Sequence, residues 1–301
     1  MSSTIVLNQT NIVAQDNNVL EYSFPSSAKF DKHEICIESV SMYYSWQNVN
    51  ANPLQNNKFQ YQWYGSSGLT THIITIPDGL YNLKDINALL QFEFIKNGHY
   101  LVTNSGQYHY FADIIVNSAT YSFQINTYPL PTSSQFYDTS GDYVGYSIPT
   151  ANAKTGASGW AGFHTDNFNP NIKMIPSGRF SELVGYADTF ETGLNTGTAT
   201  SKNTNLSFNS TTSPKITPNF NLFLAISNID NVYSNPSTII HSISPSVGFG
   251  MQIIDRPSEF AWNRLISGSY SKLRVQILGS DKQPIRILDP EMCIVLLIKS
   301  R

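Results

Sequence analysis

Met292-Cys293-Ile294-Val295-Leu296-Leu297-Ile298 is apolar at every position, and the way such a run is buried decides the fold. In an extended strand Met292, Ile294, Leu296 and Ile298 point to one side, and Cys293, Val295 and Leu297 to the other. A strand apolar on both faces needs cover on both, from a second sheet and an insertion or from another subunit. Burying these side chains at roughly 1.5–3 kcal/mol each gives on the order of 10–20 kcal/mol as an upper bound. Upstream, Leu273, Val275 and Ile277 alternate with Lys272, Arg274 and Gln276, the period-two pattern of a half-buried strand. Gly279, Ser280 and Asp281 turn the chain, and Pro284 restarts it into Ile285-Arg286-Ile287-Leu288. A chain that closes on a central strand fits Greek-key and jelly-roll sandwiches.

Composition narrows the function classes. Charged residues make up 13% of the 301 residues, about half the ~25% of ordinary soluble domains. Seventeen Tyr and 17 Phe stand beside few Lys and Glu, a palette of β-sheets and interfaces. Little surface charge keeps copies apart poorly, which favours self-association. The net charge of −3 and pI near 6.0 argue against a nucleic-acid binder driven by overall charge. The tail is weakly basic (Arg256, Arg264, Lys272, Arg274, Lys282, Arg286, Lys299 and Arg301), a pattern that scattered, solvated strand faces also produce. Cys36 and Cys293 sit in apolar strand contexts and read as small buried hydrophobes; a disulfide between them requires neighbouring strands. Met1-Ser2-Ser3-Thr4 opens without a charged or apolar leader, and no apolar run reaches membrane-spanning length. The sequons at Asn8, Asn205 and Asn209 arise by chance in an Asn- and Ser-rich chain.

In chain order, Thr4–Leu7 and Val19–Phe24 read as strands, the second closed by Pro25. His33 to Trp46 reads as a long strand in which Ile35, Ile37 and Ser39 alternate with Cys36, Glu38 and Val40. Phe59, Tyr61 and Trp63 line one arm of a hairpin that turns at Gly65-Ser66-Ser67-Gly68 and returns from Thr70 to Ile76. There the period changes. Asn82 is an N-cap with Asp85 three residues on; Leu83, Ile86, Leu90 and Phe94 follow at helical spacing, and Asn97-Gly98 stops the helix. Gln107–Phe111, Ile114–Asn117 and Thr120–Asn126 form the pattern of one small meander, and the stretch from Pro129 to Pro176 carries little pattern. Ser177 to Val184 reads as a single helical turn ending at Gly185, and Thr192 to Pro218 as loop. Strand character resumes at Phe220–Ile226, Thr238–Ser242, Met251–Ile254 and Trp262–Ile266. The expectation is a mainly β protein: a single jelly-roll sandwich of residues 1–77 and 216–301, with an inserted β-rich domain, 78–215, carrying one helix.

Chemistry is sparse. Histidines 33, 72, 99, 109, 164 and 241 form no Cys/His or His/carboxylate cluster at metal-ligand spacing. His33 and Cys36 fall on opposite faces of a strand, which excludes a local thiolate–imidazole pair. No nucleophile elbow or phosphate loop appears, and Gly248-Phe249-Gly250 lacks the third glycine of a dinucleotide site. Glu34 and Glu38 share a strand face about 13 Å apart, too far for a paired acid and base. Asp188 and Glu191 read as solvated loop residues. No catalytic residue, metal ligand or cofactor site is therefore assigned, although sandwich glycosidases with carboxylates distant in sequence stay open. The aromatic rows Tyr44–Trp46 and Phe59–Tyr61–Trp63 suit either a sugar-stacking platform or a core. Trp160 and Phe163 are surface-contact candidates.

The order of these features resembles the penton, or minor capsid, proteins of virophages and the related Maverick/Polinton elements. The residues that carry the resemblance run Ile76-Pro77-Asp78-Gly79-Leu80-Tyr81-Asn82-Leu83-Lys84-Asp85-Ile86-Asn87 into the helix, then Phe180-Ser181-Glu182-Leu183-Val184-Gly185-Tyr186, then Phe220 to Ile229, and the end pattern with Asp281, Pro284 and the closing strand. Among them Pro77, Gly79, Tyr81, Asp85, Ile86, Leu183, Gly185, Asp281 and Pro284 are the motif positions. The resemblance implies an upright eight-stranded jelly roll in a capsid wall with an insertion projecting outward. It implies five copies at each icosahedral vertex, ringed by trimers of the major capsid protein, with no catalytic residues to carry over. Assembly in the cytoplasm of an infected cell and a host receptor met through the insertion follow from the same likeness. Thr132 to Asn169 is loose for a packed insertion. The rival expectation is a carbohydrate- or receptor-binding jelly roll of lectin or spike type.

Overall fold

The computed structural model describes residues 2–65, 68–103, 107–128, 130, 146–147, 171–193, 205–216 and 220–300. The chain divides into two compact units, Met1–Asn48 with Thr217–Arg301, and Val49–Ile216. The first unit opens with β1 (Ser2–Asn8), β2 (Val19–Phe30) and β3 (His33–Tyr43). The inserted unit holds β4 (Lys58–Gly65), β5 (Gly68–Thr75), α1 (Leu83–Asn97), β6 (Tyr100–Thr103), β7 (Tyr108–Tyr110), β8 (Ala112–Asn117) and β9 (Ser122–Thr127). It continues with β10 (Tyr146–Ser147), β11 (Lys173–Ile175), α2 (Arg179–Val184) and β12 (Leu206–Asn209). The first unit resumes with β13 (Leu222–Ile226), β14 (Ile239–Ile243), β15 (Gln252–Asp255), β16 (Asn263–Arg264), β17 (Gly268–Leu278) and β18 (Cys293–Ser300).

The pairings of the first unit are those of a jelly roll. One sheet runs β1-β18-β3-β15, with β16 also on β3; the other runs β14-β13-β17-β2, and every pairing is antiparallel. Taking β15 and β16 as one interrupted strand, the first sheet uses the first, eighth, third and sixth strands of the sandwich and the second uses the rest. The closing strand β18 lies between β1 and β3, so the two-faced run is central. Ile294, Leu296 and Ile298 face inward beside Leu7 and Ile5 of β1 and Ile37 and Ile35 of β3. Leu20, Leu222, Leu224, Ile226, Leu273, Val275 and Ile277 fill the core from the second sheet and are all buried.

Register shifts in β18–β3 and in β17–β2 depart from simple alternation in ways that matter to the sequence reading. The β18–β3 register shifts between Val295 and Leu296, so Val295 opposes Ser39, Leu296 opposes Ile37, and Glu38 is passed over. This bulge re-phases β3: Val40 and Met42 turn into the same core as Ile35 and Ile37, whereas strict alternation had set Val40 opposite them. Pro25 does not close β2. It sits in an edge strand where the register with β17 shifts, and an edge strand tolerates the missing N–H.

The inserted unit begins at Val49 rather than at residue 78. The β4–β5 hairpin belongs to it because β11 pairs with β4, and Phe59, Tyr61 and Trp63 pack in one core with Leu83, Ile86, Leu90 and Phe94 of α1. The expected meander is split: β7 pairs with β6, while β8 and β9 pair with each other and β12 lies on β9. The strand β12 falls in a stretch read as loop, because only Leu206 and Phe208 alternate there against polar partners. Among the described residues the insertion carries a second helix besides α1. The expected turn at Ser177–Val184 is the six-residue α2, buried through Phe180, Leu183 and Val184 and stopped by Gly185 at φ +82°. In α1 the Asn82 side chain accepts from the Asp85 N–H at 3.0 Å and Asp85 accepts from the Asn82 N–H at 2.9 Å, a reciprocal cap.

Candidate functional site

The odd positions of β18 look outward. Cys293, Val295 and Leu297 are half-buried, and directly opposite Val295 stands Val6, 50% exposed. Across β3, Cys293 opposes Ser41, and Ser41 opposes Ile254 of β15, which is 63% exposed. Ser39 and Ser41 supply small polar surface between these apolar side chains. Phe260 is exposed in the segment before β16, and Trp262 lies beneath Lys299, whose Nζ is 3.9 Å from the ring centroid. Lys299 also pairs with Glu34 at 3.4 Å, and that pair sits at the far end of the row. Cys36 is buried opposite Leu297, and burial pushes its thiol pKa up. The outcome is a sheet face that is mostly apolar, with the Lys299–Glu34 pair at one end and Glu38 at the bulge of β3, unlike an ordinary solvated strand face. Cys36 and Cys293 are free thiols, four positions out of register along β18.

The motif positions are scattered through both units and serve local geometry. Gly79 exchanges hydrogen bonds with Val49, its N–H donating at 2.9 Å and its carbonyl accepting at 3.1 Å. A Cβ on Gly79 would meet the Tyr81 ring at 2.8 Å. Pro77 precedes this clamp at the end of the hairpin, Asp85 closes the cap of α1, and Ile86 and Leu183 lie in the inserted core. The Tyr81 hydroxyl pKa is pushed up by burial, then by Asp78 and Asp85. Asp281 accepts from the Gln283 N–H at 3.0 Å, and Pro284 bridges Leu278, so both shape the turn before β18. These residues form no single cleft.

The aromatic rows are core. Phe59, Tyr61, Trp63 and Trp46 are all but fully buried, with Phe59 stacked on Phe180 and Tyr44 tilted on Trp46. A sugar ring has no access to them, so they offer no stacking platform. Trp160 and Phe163 lie outside the described residues. Glu191 is more than loop solvation: it pairs with Lys173 at 2.6 Å.

Two histidine contacts escaped the sequence. His241 Nε2 meets Asp255 Oδ2 at 2.5 Å, tying edge strands of the two sheets of the sandwich. His72 and His99 come together in the inserted core, their ring centroids 4.8 Å apart. Only the hairpin register, which sets His72 opposite Tyr61, carried a hint of the second. Among the described residues no group of three or more His, Cys, Asp or Glu side chains is arranged to hold a metal ion, and no helix is long and apolar enough to cross a membrane.

Comparison with known proteins gives distant structural likenesses. The chain is similar to the mavirus penton protein, at 10% identity, over 100% of this chain and 99% of that one, with a TM-score of 0.42. It is similar also to a chain of the Sputnik virophage structure, at 11% identity, over 99% and 96% of the two chains, with a TM-score of 0.33. No protein-family model and no curated protein sequence matches.

Proposed function

We propose that this chain is a structural capsid protein, a non-enzymatic vertex capsomer that closes as a homopentamer. The observation that carries the reading is the outer face of the five-stranded sheet. There Val6, Val295, Leu297 and Ile254 form an apolar row in which Glu38, at the bulge of β3, is the one carboxylate among them, and the Lys299–Glu34 pair lies at its end. A head-to-tail contact repeated through one fifth of a turn closes on itself, and each copy then covers such a face on its neighbour. The mechanism is geometric: the sandwich fixes the wedge angle and side-chain contacts between neighbours set the closure. In this reading the partners are a second copy of the chain and trimers of a major capsid protein, and the inserted unit is the surface offered to a host receptor. The location is the virion vertex, reached after assembly in the host cytoplasm. The order of sequence motifs that resembles virophage pentons supports the same assignment.

Native mass spectrometry tests it. The unaltered chain is expected as a pentamer, and Val6→Lys or Ile254→Lys as a folded monomer with an unchanged circular-dichroism spectrum. Both positions are at least half exposed, so the substitutions spare the fold. A stable monomer or trimer of the unaltered chain, even with the major capsid partner present, would overturn the reading.

A further inference from the structure

His99 follows the left-handed stop of α1 and is 7% exposed. Its imidazole lies flat on the Trp63 indole, with centroids 3.9 Å apart and planes 5° from parallel. The Tyr61 hydroxyl is 2.9 Å from His99 Nδ1 and accepts the Asn97 Nδ2–H at 2.9 Å. With Asn97 donating, the hydroxyl proton points to His99, so Nδ1 offers a lone pair and the ring is the neutral, Nε2-protonated tautomer. His72, opposite Tyr61 across the hairpin, stacks on that tyrosine at 4.9 Å and meets His99 edge-on at 4.8 Å. Phe94 and Phe111 pack edge-on against Tyr61 and Trp63 and close the pocket.

The charged and titratable groups around this pair are few. From α1, Glu93 acts on His72 and Tyr61 but is itself paired with Lys96 at 3.2 Å. From the β7 side, His109 lies edge-on to Phe111 and Tyr110 stacks on Phe94. Thr70 Oγ1 is 3.2 Å from His72 Nε2. Among the described residues no carboxylate hydrogen-bonds either imidazole of the pair. A proton on His99 therefore breaks the Tyr61 contact, buries a charge with no carboxylate to meet it and repels a protonated His72, costs that exceed the attraction of the Trp63 face.

We infer that this imidazole pair makes the inserted unit acid-labile, so that falling pH parts the β4–β5 hairpin from the end of α1 while the sandwich keeps its fold. The inference does not depend on what the chain assembles into. Burial, then the neighbouring His72, holds the His99 pKa down at about 3, and burial also lowers that of His72. An unfolded histidine takes its proton near pH ~6.5. Stability from these rings is complete above that pH and is lost as pH falls toward the folded value. At about pH 5 His99 alone shifts the equilibrium toward the open form by roughly 30-fold, and His72 adds in the same direction. In the sandwich, His33 is partly exposed and meets one ring, Phe30, edge-on at 5.3 Å, and His241 is partly exposed and faces the Asp255 carboxylate.

Hydrogen exchange on the full chain at about pH 7.5 and about pH 5, corrected for intrinsic rates, tests this. Peptides of β4, β5 and α1 are expected to lose protection by roughly 30-fold or more in acid, and those of β1, β3 and β18 to keep theirs. His99→Gln should remove most of that pH dependence, and His72→Gln a smaller part. Equal protection at both pH values, or a dependence that survives both substitutions, would sink the inference. So would a histidine ring resonance, assigned to His99 in the folded unaltered protein, that titrates near pH ~6.5; that readout needs no variant to fold.

Discussion

Gly185 is the most crowded of the described glycines in the inserted unit. Its φ of +82° is costly for any residue with a Cβ, and a Cβ built there would stand 2.4 Å from the Thr212 carbonyl oxygen. That carbonyl belongs to the segment that returns hydrogen bonds to the Gly185 carbonyl through the Thr212 N–H and hydroxyl, each at 3.0 Å. Gly185→Ala is expected to lower the stability of the unit by about 3 kcal/mol, strain and clash together. Urea unfolding followed by circular dichroism measures it, and a loss below about 1 kcal/mol would contradict the crowding argument. Residues such as Gly185, Gly98, Asn82 and Asp85 were legible in the sequence because their partners lie within a few positions. The stack of His99 on Trp63 was not, since no local spacing links a residue after a helix to one in a hairpin more than thirty positions earlier.

At the scale of the element, β18 carries two tasks on alternate side chains. Leu296 is wholly buried between Ile5 and Ile37, and Leu296→Ala is expected to cost about 2–5 kcal/mol of sandwich stability. Leu297, one position on, is half-buried on the outer face. Leu297→Ala should cost the monomer about 1 kcal/mol, yet loosen self-association much more. Denaturant unfolding at low protein concentration, set beside the assembled fraction by mass spectrometry, separates the two effects. Equal losses for both variants in both measurements would remove the division of labour. The two faces of this strand were readable from alternation alone. The bulge at Glu38 was not, because an extra residue has no signature until a partner strand fixes the register. The strand β12 was hidden for a related reason: Ser207 and Asn209 pair as backbone while their side chains look like loop.

At the scale of the molecule, the pairing of the two chain ends into one sandwich was legible, because apolar runs recur on a period of two at both ends of the chain. The edge of the inserted unit was not. The row Phe59-Tyr61-Trp63 announces a buried strand face, and nothing in a period of two says which of two cores it enters. The answer lies in α1 and α2, whose Phe94 and Phe180 meet Tyr61 and Phe59. The core that holds this row draws every buried residue from Val49–Ile216, and each unit has the length of an ordinary domain. Calorimetry of the whole chain at neutral pH should therefore resolve two transitions. Lowering the pH to about 5 should move one of them down by roughly 4–8 °C, the size a ~2 kcal/mol loss produces in a unit of this length. In His99→Gln the same change of pH should leave the two transitions close to their neutral spacing. A single transition at every pH would mean that the units melt as one. Two transitions displaced equally by acid would place the proton-sensitive groups outside the Tyr61–His72–His99 pocket.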